Sequence, residues 1–538
     1  MTGTGLARDL SLRGVSCLLV EKRDLVSGAS GGNHGLLHSG ARYVGSDPQA
    51  AAECRKEAAV LRTIAPHAID DCGGLFVAVP GDDESYLAEF PGLCAASGVS
   101  VREVDPQQAR EQEPALADTI LAAFAVNDAS VDPFMLCVDN VAQAVGLGSQ
   151  VRRNTRVEDF VLEGGRIVLV RCRDETRGQL LEVEAEVVVN AAGAWAGNVA
   201  GLAGADLPML YSKGTMIVTQ DRITRRVINR LRPATDADIL VPGGTVSILG
   251  TTSVRIEDPD RYAPTVEEVD AMIEDAVAMV PVLHATRYIR AYAGVRPLIS
   301  PRKGVDARKV SRGYTLHDHE EDGIGNLVTI TGGKLTTFRL MAEKTADMVC
   351  GKLGVAVPCT TMTEPLPPSG ASRWSEPGRS VRAWVDKSHA RGTMLCECEM
   401  VSSGVVDDIL AELDGMRGRS ALKAISQRSR VGKGPCQGGF CGPRITGHLY
   451  ETGVVRGWQG VRELKRFISR RWRGKVPVLW GITLMQAELQ EALHCGAMEL
   501  DLVEESLEQE GSKLEAGSLK EEEGSSKFEV GSSKGEGE

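Results

Sequence analysis

The sequence predicts an α/β protein. A dinucleotide-binding domain is interleaved with a β-rich second domain, ahead of a small cysteine-bearing module and an acidic tail. Three observations predict it. Apolar runs of strand length lead into small residues or helical patterns at 16–24, 185–196 and 326–354. Stretches of alternating polarity lie between them. Four cysteines, Cys396, Cys398, Cys436 and Cys441, follow in the spacing C-x-C, 37 residues, C-x4-C.

Taken in order, SCLLVEKRD (16–24) is an apolar run ending in charge, the pattern of a buried parallel strand. AEVVVNAAGAWA (185–196) runs from a strand into small residues and a helix start. NLVTITGGKLTTFRLMAEKTADMVCGKLG (326–354) reads as a strand, a Gly-Gly turn and a long amphipathic helix. TVSILGTTSVRI (245–256) alternates as an antiparallel strand does. Residues 1–360 therefore read as one α/β unit, and the Pro-, Ser- and Gly-rich stretch 361–390 is the expected linker. Residues 391–480 carry the cysteines, with helices expected at 405–413, 421–430 and 461–475. A C-terminal extension covers 481–500. Residues 501–538 collapse to Gly, Ser, Glu and Lys, with Lys513, Lys520, Lys527 and Lys534 recurring every seven residues and no apolar stripe beside them. That composition is expected to be disordered.

The tail holds twelve acidic residues and four lysines, so −8 of the net charge of −12 lies there. The body is close to neutral, which gives a nucleic-acid partner no support. No run of about 20 apolar residues is present, so no membrane-spanning helix is expected. The start lacks a basic and apolar leader. The 13 cysteines are odd in number and scattered, which argues against a disulfide framework and for a reducing, cytoplasmic setting.

A dinucleotide site of the Rossmann type needs a strand, a glycine turn opening a helix, and an acid about 20 residues on for the ribose. Glu21 closes a strand and suits that acid. TGLARDLSLRG reads as the helix, which places Gly3 as the last fingerprint glycine. The first strand and first two glycines are expected upstream of Met1. SGASGGNHGLLHSGARYV (27–44) packs small residues and two histidines where a flat cofactor needs close backbone approach. Gly332 and Gly333 precede a helix whose N-terminus can stabilise negative charge on a reduced ring. Four thiolates at one point bind Zn²⁺ or an iron–sulfur cluster; zinc sites favour C-x2-4-C pairs.

Together NHGLLHSGARY, VDPF (131–134), NAAGAW (190–195), KGTMIV (213–218), DADILVP (236–242), LGTTS (249–253), AYAGVRPL (291–298), VSRGYTL (310–316) and TGGKLTTFRLMAE (331–343) closely resemble the FAD-dependent glycerol-3-phosphate dehydrogenases. The four cysteines resemble the [2Fe-2S] module related to bacterioferritin-associated ferredoxin. Their combination resembles the catalytic A subunits of the anaerobic, quinone-linked type. The resemblance implies a Rossmann-like FAD-binding domain and oxidation of sn-glycerol 3-phosphate to dihydroxyacetone phosphate. For FAD it implies Gly3, Glu21, Ser30, Asn33, Gly35, Gly193, Gly332, Lys334 and Leu335. For the substrate phosphate it implies Arg42, Arg296 and Arg312, because the guanidinium fork matches phosphate oxygens. Lys334 is also placed within reach of flavin or substrate. His38, with His34, is a candidate base, although single-chain relatives carry a His where Met216 stands. Trp195 is expected near the flavin, and Thr336 and Thr337 at a helix cap or the flavin edge. The resemblance further implies a [2Fe-2S] cluster on Cys396, Cys398, Cys436 and Cys441. It also implies two partners that lead to quinone, a flavoprotein B subunit and a membrane-associated iron–sulfur C subunit, with the chain peripheral on the inner face of the membrane. The competing readings are an amine or amino-acid oxidase of the same fold and a flavin-less electron-transfer protein.

Overall fold

The computed structural model describes residues 1–299, 313–387, 391–413 and 421–500. They divide into two compact units, Met1–Ser372 and a second that begins at Arg373.

In the first unit the helix Thr2–Leu12 is followed by the strand Leu18–Glu21, which pairs in parallel with Gln150–Arg153. A second parallel pair joins Val188–Asn190 to Leu327–Gly332, with Tyr314–Asp318 antiparallel on its far side. The run at 185–196 gives the strand Val188–Asn190, a 3-10 turn Gly193–Trp195 and the helix Ala196–Leu202. Asn190 closes that turn, its Nδ2 donating to the Ala196 carbonyl (2.8 Å) and to Thr329 Oγ1 (3.2 Å).

The helix Thr2–Leu12 packs against the helices Pro133–Gly146 and Phe338–Leu353. Leu6 and Leu10, one turn apart, bury with Ala342, Ala346 and Val349. A Cβ at Gly5 would sit 3.0 Å from the Phe338 ring, so a larger residue would push this close helix crossing apart by a few tenths of an ångström. Gly3 lies between the two parallel pairs: a Cβ there would meet Leu19 at 3.6 Å and Ala191 at 3.5 Å.

The β-rich layer is one mixed sheet of nine strands, in which Met209–Thr219 pairs with both Val246–Gly250 and Tyr288–Ile299. The alternating run at 245–256 becomes Val246–Gly250 and Val254–Ile256, both antiparallel to Met209–Thr219.

A buried ion pair ties the helix Pro48–Ile64 to Phe338–Leu353. Arg339 donates to both Glu57 oxygens at 2.7 Å, and to Glu343 (2.6 Å) and Thr361 (3.0 Å). Arg339 is 2% exposed and Glu57 0%. Arg339→Met strands a buried carboxylate and is expected to destabilise the protein by about 3–5 kcal/mol, measured by denaturant unfolding.

The second unit is a helical module. A short hairpin, Met394–Cys396 with Val401–Ser402, leads into the helices Ser403–Glu412, Ala421–Arg428, Cys441–Glu451, Trp458–Lys475 and Gly481–Ala497. Its core joins Trp374 and Ala383 to Val405, Ile409, Ile425, Ile445, Leu464, Cys495 and Leu500. The core thus reaches upstream into the Pro- and Ser-rich stretch, where Trp374 is 1% exposed and Arg379–Val385 is helical. It also reaches downstream into 481–500. The low-complexity tail, 501–538, lies outside the described residues.

Glu463 lies inside this module and accepts the Leu422 N–H at 3.0 Å. Burial pushes its carboxyl up from 4.5 to about 7. Between those pH values the unfolded chain has released a proton that the folded chain still holds. Stability therefore falls as pH rises through that window and levels off above it. Glu463→Gln should remove this slope and stabilise the protein above neutrality by up to about 3 kcal/mol. Melts of both proteins across the window check it.

Candidate active site and thiolate centre

The nucleotide end is built at the carboxyl ends of the parallel strands, where open α/β sheets bind ligands. Glu21 is the last residue of Leu18–Glu21, and its carboxylate accepts the Arg23 N–H at 2.9 Å. Burial raises its pKa. Ser30 Oγ accepts from the Met1 amine at 3.0 Å. Asn33 organises the loop between them: its Nδ2 donates to the Ala29 and Ser30 carbonyls at 3.0 and 2.7 Å, and its Oδ1 accepts the Gly35 N–H at 2.8 Å. Gly35 has φ +69°, and a Cβ there would lie 2.7 Å from the Val131 carbonyl.

Gly193 is tied to the end of the strand Leu327–Gly332, Thr331 Oγ1 donating to the Gly193 carbonyl at 3.0 Å. Gly332 and Gly333 both adopt positive φ. The helix after them begins only at Phe338, because Lys334–Thr337 forms a turn of its own, with Thr337 N–H on the Lys334 carbonyl (3.2 Å). Leu335 packs against the apolar cluster around Phe338. Thr336 Oγ1 accepts the His38 N–H at 3.1 Å. Thr337 makes no side-chain cap. Lys334 Nζ stands 4.7 Å above the Tyr43 ring, and the Tyr43 hydroxyl lies 3.4 Å from His38 Nε2.

Trp195 is placed at the Glu21 end. Its Nε1 donates to Asp260 (2.9 Å), Lys22 sits 4.0 Å over its ring, and Gly28 packs against its edge.

Arg296 and His34 border the same segment, Gly250–Thr252. On paired strands Ser212 lies opposite Arg296 and Met216 opposite both Tyr292 and Gly250. The Arg296 guanidinium lies against Gly214, where a Cβ would collide with it. Its Nη1 donates to the Thr252 carbonyl (3.0 Å) and its Nη2 to Thr251 Oγ1. Gly250 is flanked by Met216 and by the His34 ring, 3.0 and 3.4 Å from where a Cβ would stand. Tyr292 fixes the histidine loop by donating to the Asn33 carbonyl at 2.7 Å.

Arg42 is half committed. Its Nη2 donates to Asp238 (2.6 Å) and the Thr235 carbonyl (3.2 Å), while its buried Nη1 has no hydrogen-bond partner among the described residues. Burial alone would raise the Asp238 carboxyl, yet Arg42 and Arg232 hold it below the usual carboxylate range. The salt bridge and the idle donor coexist on one guanidinium. Arg312 lies outside the described residues. Sequence reasoning passed over Tyr43, Thr251, Thr252 and Asp238, although all four stand inside motifs already singled out.

In the second unit the four cysteines converge. Cys396 ends the hairpin strand, Cys398 follows in the turn, and Cys441 opens the helix Cys441–Glu451. Cys396 and Cys398 sulfurs are 3.8 Å apart, as are those of Cys398 and Cys436. Cys441 interacts with both Cys396 and Cys436. Gly434 permits this approach, since a Cβ there would fall 2.5 Å from Cys398 Sγ. Hydrogen bonds from the Cys398 and Cys441 thiols pull Cys436 far below the ordinary thiol range, helped by backbone N–H groups of Phe440 and Gly438. A metal held by all four sulfurs would displace the protons that the thiols carry. Arg430–Glu399 (3.0 Å) and Arg444–Glu397 (2.6 Å) anchor the residues that flank Cys398.

This fold and this glycine-lined site define a dinucleotide-dependent oxidoreductase. The family model described as FAD dependent oxidoreductase (DAO) matches residues 1–348. The A subunit of the anaerobic glycerol-3-phosphate dehydrogenase of Escherichia coli K12 is 40% identical over 521 residues, covering 93% of this chain and 95% of that protein. The corresponding A subunit of Haemophilus influenzae is 39% identical over 94% of this chain and 93% of its own. The A1 subunit of Haloferax volcanii is 38% identical over 93% and 89%. In fold, the glycerol-3-phosphate dehydrogenase of Bacillus halodurans complexed with FAD superposes with a TM-score of 0.59 at 22% identity, covering 89% of this chain and 94% of that one. Glycine oxidase from Bacillus cereus gives 0.52 at 21%, covering 65% and 92%. The chain belongs to the FAD-dependent oxidoreductases and, within them, to the family of anaerobic glycerol-3-phosphate dehydrogenase A subunits.

Proposed function

We propose that this chain is the catalytic component of an anaerobic-type dehydrogenase that oxidises sn-glycerol 3-phosphate to dihydroxyacetone phosphate. The observation that carries the reading is that Arg296 and His34 border the same segment, Gly250–Thr252. Arg296 supplies a fixed cation for the phosphate dianion, and the idle Nη1 of Arg42 a second donor. Arg312 completes the cationic set proposed from the sequence.

The glycine cradle fits FAD: Gly193 opens onto empty space, and Glu21 stands at a strand end as a ribose acceptor should. Gly3, Glu21, Ser30, Asn33, Gly35, Gly193, Gly332, Lys334 and Leu335 are the residues that would hold it. When bound, FAD supplies the acceptor for the C2 hydride. Proton removal from the C2 hydroxyl falls to a histidine. Geometry favours His34, against the strand turn that holds Arg296, over His38, which is bracketed by Tyr43 and Thr336.

The four-thiol ring fits a [2Fe-2S] cluster held by Cys396, Cys398, Cys436 and Cys441, with zinc as the competing occupant of the same donor set. Such a cluster would pass single electrons to the partner B and C subunits and so to quinone. Among the described residues no helix is long and apolar enough to cross a membrane. One observation supports a docked partner. Ile482, Met485, Leu489 and Leu493 form one exposed apolar face of Gly481–Ala497, each at least 63% exposed. A peripheral position on the inner membrane face follows from that docking.

With FAD-loaded protein and an artificial dye, sn-glycerol 3-phosphate should drive dye reduction, and glycine and other amines should not. Dye reduction by an amine alone would replace this reading with an amine oxidase of the same fold.

A further inference from the structure

A third cluster of chemically active side chains shares no residue with the flavin, substrate or thiolate sites. It sits where the strand Tyr314–Asp318 turns back toward Leu327–Gly332. His317 Nε2 lies 2.9 Å from Asp322 Oδ2, and His319 Nδ1 lies 2.7 Å from the same oxygen. The two imidazoles meet edge to face, with ring centroids 4.5 Å apart at 86°. All three ligand atoms fall within 4.8 Å of one another.

We propose that His317, His319 and Asp322 form a binding site for a divalent cation of the zinc class. The donor set is two imidazole nitrogens and one carboxylate oxygen, which suits Zn²⁺ and neighbouring borderline metals rather than the all-oxygen preferences of Ca²⁺ or Mg²⁺. The second shell is already in place. His319 is wholly buried, and its far nitrogen, Nε2, lies 2.8 Å from Thr329 Oγ1. That hydroxyl also receives the Asn190 amide (3.2 Å). A hydrogen bond on the far nitrogen is what orients a metal-ligating histidine. His317 and Asp322 are about one-third exposed, so ion and water can reach the open coordination positions. Two of the neighbouring acids, Asp318 (2.8 Å) and Glu320 (3.3 Å), are engaged by Lys352.

A cation here would act as a staple. It would clamp the 319–323 turn to the end of Tyr314–Asp318, and the chain His319–Thr329–Asn190 would carry that rigidity to the turn before Gly193.

The test uses the full-length, FAD-loaded protein and Zn²⁺ alone as the probe. Zinc stoichiometry and affinity are measured against a chelating indicator for wild type, His317→Gln and Asp322→Asn, and the bound zinc is examined by X-ray absorption. Both substitutions are at partly exposed positions, and retained flavin content certifies the fold. Beyond any zinc taken by the four-thiol ring, wild type should bind one zinc through nitrogen and oxygen at about 2.0–2.1 Å. Each variant should lose at least about tenfold in affinity for that ion. Equal affinity in the variants, zinc held only by sulfur, or no zinc binding would overturn the proposal.

Discussion

Arg296→Leu is expected to lower kcat/KM for sn-glycerol 3-phosphate by about a hundredfold or more, the consequence of removing one member of a buried charged pair, about 2–5 kcal/mol. Most of the loss should appear in KM, because the phosphate is bound alike in ground and transition states. The guanidinium also fastens Thr251 and Thr252, so a purely structural role has to be separated. Arg296→Lys separates them: it restores the charge without the fork and should recover part of the affinity for the phosphate substrate while leaving the two-point tie to the turn broken. Flavin content should be unchanged in both. Steady-state kinetics of the two variants check it, and a fall in kcat alone at constant KM would remove Arg296 from phosphate binding.

The second large effect is expected at Cys436. Its thiol is drawn below the ordinary range by its neighbours in the four-sulfur ring, and Cys436→Ser removes one of the four proposed ligands. With the proposed [2Fe-2S] cluster in the ring, the variant should lose iron and the broad sulfur-to-iron absorbance. The second unit should soften as well, because metal binding and folding are coupled. Substrate should still bleach the flavin, since Cys436 lies in the other compact unit. Electron delivery through the proposed partner subunits to quinone should fall toward zero. Iron analysis and an anaerobic spectrum decide the first point. Zinc in place of iron in wild-type protein would assign the ring a structural role and remove it from electron transfer.

Much of this was legible before any coordinates. The strands at 18–21 and 327–332 announce themselves as short apolar runs with abrupt ends, and the positive φ of Gly332 and Gly333 is what paired glycines license. The four cysteines were visible as a set because C-x-C and C-x4-C force close neighbours locally. What stayed hidden depends on distant residues. Asp238 claims one end of Arg42 from 196 positions away, and Asp260 draws Trp195 to the Glu21 end from 65 positions away. Neither pairing leaves a local pattern. Trp374 stands in Pro- and Ser-rich sequence that reads as linker, yet it fills the core of the second unit. The preference for His34 over His38 likewise comes only from the strand pairing that brings Gly250 beside Met216.

The central claim is that the site formed by Arg296, Arg42 and His34 delivers electrons from a phosphorylated polyol to bound FAD. Anaerobic titration of the FAD-loaded protein, followed through the flavin absorbance, tests it most directly. Bleaching by sn-glycerol 3-phosphate, with none by glycerol or by glycine at the same concentration, is the predicted result. Bleaching by glycine, or equal bleaching by glycerol and its phosphate, would contradict the account.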